Sequence, residues 1–260
     1  MNVLIMTDIE GVTNVDTFEC LQDKSSAEYR TACEQLMLDT NAAIAGFYDA
    51  GAKQVYVYDG HAQGKNFIKE MLDPRAIQLY RDNWHDYVSG GKVDVYAEVG
   101  LHAMAGTQNA FLEHTQSSIK WFDYKINGKS CGELVQGAAY VGNYGIPMVF
   151  VSGDVAACEE AKKFIPEIST AVVKKAIGRN KALSNSEEEA RKLIYKKAKT
   201  SLSLADKITP YKISLPAEIT VTYQRTDYCD EIADKYERVD SRTLKKTIDE
   251  IIDYSSLTIY

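Results

Sequence analysis

Two carboxylates, Asp8 and Glu10, stand with one residue between them directly after the apolar run Val3–Met6, and Gly11 follows. In an extended segment residues two apart point the same way, so these acids share a face. Carboxylates placed like this repel unless a cation or a proton lies between them. Asp59 and His61 follow a second apolar run, Val55–Tyr58, and His102 follows a third, Val93–Val99, within Gly-Leu-His-Ala. Glu133 adds a further carboxylate at the start of a helical segment. Asp8, Glu10, His61, His102 and Glu133 make a set of N and O donors that suits Zn²⁺, with Mn²⁺ as the alternative. The set exceeds what a single four-coordinate zinc needs, and one bridging carboxylate makes it enough for two ions with open positions. The chemistry expected of such a site is metal-assisted hydrolysis.

Each residue also has a plainer reading. An acid after a strand is often a helix cap, and a lone histidine is often structural. The chain has only four histidines, however, and two of them fall at strand ends. Of the others, His85 in Asn-Trp-His-Asp reads as a surface or packing residue in a polar loop. His114 in Leu-Glu-His-Thr reads either as a loop residue or as an acid/base group beside the metal site.

Bringing these residues together is a task for the fold. Val3–Met6 reads as a buried parallel strand, and a helix is expected from Ser26 to Ala50. Ser25 and Glu28 are expected to form its capping box, and Tyr29, Cys33, Leu36, Met37, Ile44 and Phe47 recur at helical spacing up to Gly51. With Val55–Tyr58 this completes a β-α-β unit and predicts a parallel sheet. Val93–Val99, Trp121–Ile126 and Met148–Ser152 read as strands, with a hairpin turn at Asn127-Gly128. Glu133–Tyr144, Val155–Phe164 and Ser186–Ser201 read as helices. From about Thr209 the texture changes: Ile219–Tyr223 alternates like a strand, and Asp240 is expected to cap a last helix, Ser241–Tyr254. The predicted architecture is α/β, a mostly parallel central sheet flanked by helices. A metal-binding catalytic domain spans 1–205 and a smaller α+β subdomain spans 206–260. In open α/β sheets ligands collect at the carboxyl ends of the strands, so the three strand-end clusters are expected to meet there.

Composition narrows the function. The chain has 260 residues and a net charge of −7. A chain of this size can bury a full core without disulfides, so a metal here is expected to serve chemistry. An acidic surface repels phosphate backbones, and the Lys192–Lys199 stretch alternates with apolar residues as a solvated helix face does. No nucleic-acid partner is expected. The five cysteines form no C-x-x-C pair and read as reduced thiols. The N-terminus lacks a basic n-region, and no apolar stretch approaches a membrane span. The expectation is a cytoplasmic protein with no membrane partner. Nucleotide-binding glycine motifs and a G-x-S-x-G elbow are absent, which removes dinucleotide enzymes and α/β-type serine hydrolases.

The blocks in their order resemble the zinc-dependent D-aminopeptidases of the dipeptide-transport type. The matching residues are Asp8-Ile9-Glu10-Gly11 after the first strand, Asp59-Gly60-His61 followed by Asn66, and Gly100-Leu101-His102-Ala103 with His114 downstream. Asn127-Gly128, Gly132-Glu133 and Val149–Asp154 continue the series. The chain departs from the family pattern at Gly60, where the family has Ser, in the loop from Cys20 to Ser25, and after Thr209. The resemblance implies two zinc ions per chain, bridged by Asp8 and completed by Glu10, His61, His102 and Glu133. His114 is placed beside the ions without binding them, shuttling a proton or stabilising developing charge. It implies release of the N-terminal residue, with D-residues preferred, from short peptides or amino-acid amides. It also implies a ring-like homo-oligomer, decameric in its suggested form, with active sites facing an internal channel. The alternatives are a dinuclear amidase or deacylase acting on non-peptide amides, and a metal-stabilised non-enzymatic oligomeric scaffold. A phosphoesterase would use the same metals, but the chain lacks evident Arg or Lys clusters near the motifs to hold a phosphate.

Overall fold

Runs of β-branched and aromatic residues bounded by Gly and polar turns set out the strands. In the computed structural model, which describes residues Met1–Tyr260, β1 spans Asn2–Thr7, α1 Glu19–Gln22, α2 Ala27–Asp49, β2 Gln54–Asp59 and β3 Ile77–Leu79. Next come α3 (Trp84–Ser89), β4 (Val95–Leu101), β5 (Trp121–Ile126), β6 (Lys129–Ser130), α4 (Glu133–Asn143), β7 (Met148–Asp154) and α5 (Val155–Phe164). The chain continues through β8 (Ser169–Gly178), β9 (Lys181–Ser184), α6 (Glu187–Ser201), β10 (Ala217–Tyr223), α7 (Thr226–Asp230), β11 (Glu237–Arg238) and β12 (Thr243–Ile248).

The larger sheet has the order β3-β2-β1-β4-β7-β8-β9 and is parallel except for the β8–β9 hairpin. Every residue of β4 and β7 is buried, as expected of central parallel strands covered on both faces. The chain leaves β1 toward β2 on one side and later returns to place β4 on the other. The crevice at the carboxyl ends of β1 and β4 is therefore the topological switch point. Helices α2 and α6 pack on each other so closely that a Cβ at Gly46 would lie 2.5 Å from the Tyr195 carbonyl oxygen.

A smaller antiparallel sheet runs β11-β12-β10-β5-β6. Its β5–β6 turn carries Asn127 and Gly128 at φ of 50° and 75°, the left-handed pair a tight hairpin needs. Asn127 also ties the tail to this turn, since its Oδ1 accepts from the Glu218 amide at 2.8 Å. The strands after residue 209 thus pair with a hairpin from the middle of the chain.

Two local expectations are corrected, and one element is new. Ser26, not Ser25, caps α2, accepting from the Tyr29 amide at 3.0 Å, while Ser25 bonds Asp23. The expected helix Ser241–Tyr254 is strand β12 followed by a turn, because pairing with β10 overrides an apolar spacing that fits a helix. The hairpin β8–β9, for which the sequence analysis assigned no element, closes the larger sheet at one edge.

Candidate metal centre

The expected cluster forms at the switch point. Asp8 and Glu10 lie on the loop leaving β1, His61 on the loop leaving β2, His102 just beyond β4, and Glu133 is the first residue of α4. Two glycines allow the close approach. Gly11 donates its amide to the Gly100 carbonyl at 2.7 Å. Gly100 has φ of 79°, and a Cβ there would lie 2.2 Å from the Asp8 carbonyl oxygen.

The two oxygens of Asp8 divide between two histidines. Oδ1 lies 2.9 Å from His61 Nδ1, and Oδ2 lies 3.1 Å from His102 Nε2. Glu10 Oε2 is 3.1 Å from the same His61 nitrogen. Glu133 Oε1 is 3.4 Å from His102 Nε2 and 3.9 Å from His114 Nε2. The donors fall into two groups, Asp8–Glu10–His61 and His102–His114–Glu133, each with ligand atoms within 4.8 Å of one another. His102 and His114 direct Nδ1 to the carbonyls of Ala103 and Leu112, at 3.0 and 2.8 Å. A carbonyl accepts but cannot donate, so Nδ1 carries the proton and Nε2 faces the cluster.

The residues fit divalent cations. Glu10 Oε2 and His102 Nε2 are buried and make no proper hydrogen bond. Such atoms are costly unless an ion or a polar ligand meets them. Burial opposes charge on Asp8, but the adjacent His102 and His61 imidazoles hold its carboxyl well below the usual range. Burial likewise opposes charge on His61 and His102, yet Glu10, Asp8 and Glu133 raise both imidazoles well above theirs. The acids therefore demand a positive counter-charge. Protons on the imidazoles supply it in one state, and divalent ions displacing those protons supply it in another.

Surrounding residues hold the loops. Glu160 of α5 accepts the Met104 amide at 2.7 Å and packs on Gly132, so it links the segments that carry His102 and Glu133. Burial raises its carboxyl to about 7. Lys174 of β8 is buried and donates to the carbonyls of Glu10 (2.9 Å) and Val15. Asp39 of α2 accepts the amide and hydroxyl of Thr13 at 2.9 and 2.8 Å. Asn66 donates its amide to Asp59 at 2.6 Å and its side chain to the His61 carbonyl at 3.1 Å, which shapes the His61 loop.

A cavity of about 670 Å³ opens over the cluster. Several of its walls escaped the sequence analysis. His85 lies in α3, not a polar loop, faces the cavity and bonds the Tyr140 hydroxyl. Glu98 is a buried acid within β4 that accepts from the Tyr96 hydroxyl at 2.8 Å. Burial and the neighbouring acids push its carboxyl well above the usual range. An ionisable residue inside an apolar strand was the signal that could have marked it. The tail returns to the site through Tyr254 and Tyr260, whose hydroxyls reach Gln116.

A D-aminopeptidase of Bacillus subtilis (strain 168) is 29% identical over 215 residues, covering 81% of this chain and 77% of the relative. The solved structure described as "Zn-dependent D-aminopeptidase DppA from Bacillus subtilis, a self-compartmentalizing protease" shares the fold, with a TM-score of 0.90 at 23% identity. That likeness covers 99% of this chain and 95% of the other. Residues 1–258 match the peptidase family described as D-aminopeptidase. A match of that extent takes in every strand and loop that carries the cluster, and the chain accordingly belongs to the D-aminopeptidase family.

Proposed function

We propose that the chain is a dinuclear zinc aminopeptidase that removes the N-terminal residue, preferentially a D-residue, from short peptides. The observation that carries this reading is Asp8, whose oxygens face His61 on one side and His102 on the other. In this reading Asp8, Glu10, His61, His102 and Glu133 hold the ions, with Mn²⁺ as the alternative metal. The ions, when bound, supply Lewis-acid activation of water and of the scissile carbonyl.

The chain's own residues do the rest. His114, fixed through Nδ1 to the Leu112 carbonyl, presents Nε2 to the reacting groups. There it takes a proton from the attacking water and returns it to the departing nitrogen. Trp84, Tyr254 and Tyr260 form apolar walls on which substrate side chains can pack. The match to a peptidase family favours a peptide substrate over the neutral amides of a deacylase. The cavity's openness to solvent speaks against a closed structural zinc site.

The test is a panel of L- and D-aminoacyl amides and dipeptides, given to metal-free and zinc-loaded protein. Turnover that needs zinc and favours the D-series supports the reading. Equal turnover without metal, or none with it, refutes it.

The family resemblance and the self-compartmentalizing relative support a homo-oligomeric ring, a decamer in its fullest form. Light scattering should give a mass many times that of one chain, and a monomer would refute the ring. No helix is long and apolar enough to cross a membrane, and the proposed place of action is the cytoplasm.

A further inference from the structure

The residues lining the cavity are rich in acids, yet they include one permanent cation, Arg81. It stands on the loop between β3 and α3, just ahead of Asn83, the residue that precedes α3. Its neighbours on that side are Tyr58 and Trp84, whose rings stack at 5.1 Å and 14°. Arg81 differs from the other seven arginines. Each of those is engaged by a carboxylate or a carbonyl: Arg30, Arg75, Arg179, Arg191, Arg225 and Arg238 in ion pairs, and Arg242 with the Gln224 carbonyl. Arg81 has neither kind of partner. The nearby cavity acid Asp253 is already used, accepting from the Ser255 hydroxyl at 2.6 Å and the Ser256 amide at 3.1 Å. Burial raises the Tyr58 phenol above its ordinary range, and the Arg81 charge beside it opposes that rise.

A guanidinium that faces a cavity beside a phenol, with no carboxylate or carbonyl on its fork, is suited to a carboxylate, which it can hold through two parallel hydrogen bonds. Before cleavage, a substrate of the proposed class has one main-chain carboxylate, the one at its C-terminus. We propose that Arg81 binds the terminal carboxylate of the substrate, so that the chain acts on unblocked short peptides in preference to peptide amides. This rests on the aminopeptidase reading and narrows it. The ligand cluster takes the amino end of the substrate, and Arg81, on the cavity lining, takes the carboxyl end. The cavity is of a size that suits a ligand of a few residues. A long peptide has its carboxylate out of reach of Arg81 and gains nothing from it.

The test compares wild type, Arg81→Gln and Arg81→Lys on D-alanylglycine and D-alanylglycinamide, all zinc-loaded. A charge-assisted hydrogen bond corresponds to about 10- to 100-fold in affinity. Wild type should favour the free acid by about that factor in kcat/KM. Arg81→Gln should lose that preference through KM, with kcat on the amide unchanged. Arg81→Lys should restore part of it, as a point charge without the fork. An acid-to-amide ratio that is the same in wild type and Arg81→Gln overturns the assignment.

Calorimetry separates this from failure of the aminopeptidase reading. The probes are the non-hydrolysable reduced-amide forms of the same dipeptide, one ending in a carboxylate and one in an amide. Weaker binding of the carboxylate probe alone to Arg81→Gln supports Arg81 even if neither substrate turns over. Equal binding of both probes to wild type and variant overturns it. Arg81 is exposed, so the thermal midpoint of the variant should match wild type and exclude a folding effect.

Discussion

The imidazoles of His102 and His114 lie face to face, with ring centroids 3.8 Å apart and planes 13° from parallel. Each ring is anchored through Nδ1 to a backbone carbonyl of its own segment, and both Nε2 atoms turn toward Glu133. The stack fixes the plane of His114 without using its Nε2. A ring held in this way is suited to proton transfer because its geometry is set before substrate arrives. His114→Ala should keep its metal and its fold and lower kcat by ~10²–10⁴, the usual contribution of a general acid/base. Metal content and kcat measured on one preparation check this. Full metal with unchanged kcat would remove His114 from the chemistry, and loss of metal would make it a ligand with His102 and Glu133.

Asp8 and Glu10 should differ in what their loss does to the ions. Asp8 faces both histidines, whereas Glu10 faces His61 only. Removing a shared ligand opens two coordination shells and leaves the remaining acids crowded. Asp8→Ala should therefore lose both ions and Glu10→Ala mainly one. Elemental analysis after dialysis against a weak chelator reads the stoichiometry. Equal, partial loss in the two variants would count against Asp8 as the bridge.

The sequence made local elements legible and long-range meetings much less so. Asp8, His61 and His102 could be located because an open parallel sheet brings strand ends together, and their strands are short apolar runs. Val155–Phe164 and Trp121–Ile126 could be read because their apolar spacing and end signals agree with their packing. In Ser241–Tyr254 these signals disagree: Leu244, Ile248 and Ile251 recur like one helix face, yet β10 takes the segment as a strand. Nothing local to Tyr254 reports its contact with Gln116, 138 residues away. Lys174, Glu160 and Arg81 were missed for the same reason, since each acts by reaching a loop or cavity built by other segments.

Glu160 should give the metal-free protein a measurable pH dependence. Burial raises its carboxyl from an ordinary 4.5 to about 7 in the folded state. The folded protein therefore holds this proton more tightly than the unfolded chain does. The resulting stabilisation is full below pH 4.5 and is lost as pH rises through about 7. A shift of this size corresponds to at most ~3 kcal/mol. Glu160→Gln cannot ionise and should not show this loss. Urea unfolding in the presence of a chelator, across that window, compares the two. Wild-type stability should fall relative to the variant, and parallel curves would show that Glu160 does not titrate there.

Lys174 tests whether the loop that carries Glu10 depends on a buried cation. Its ammonium donates to the carbonyls of Glu10 and Val15 and lies 4.7 Å from the centroid of the Phe111 ring. Those carbonyls belong to a loop that runs beneath the cluster, where water cannot replace the lost donor. Lys174→Met keeps most of the volume and removes the donors. Each buried acceptor left unsatisfied costs ~1–3 kcal/mol, so the variant should be destabilised by a few kcal/mol. The more specific outcome concerns the site. All the proposed ligands are intact in Lys174→Met, yet Glu10 loses the anchor of its own carbonyl, and a ligand displaced by a fraction of an ångström binds more weakly. Zinc affinity should fall by about 10- to 100-fold, the range seen when groups supporting metal ligands are removed. Competition with a chromogenic chelator measures this below the unfolding midpoint of the variant, so weakened binding is not confused with unfolding. Wild-type zinc affinity in a destabilised Lys174→Met would show that Lys174 stabilises the fold without positioning Glu10.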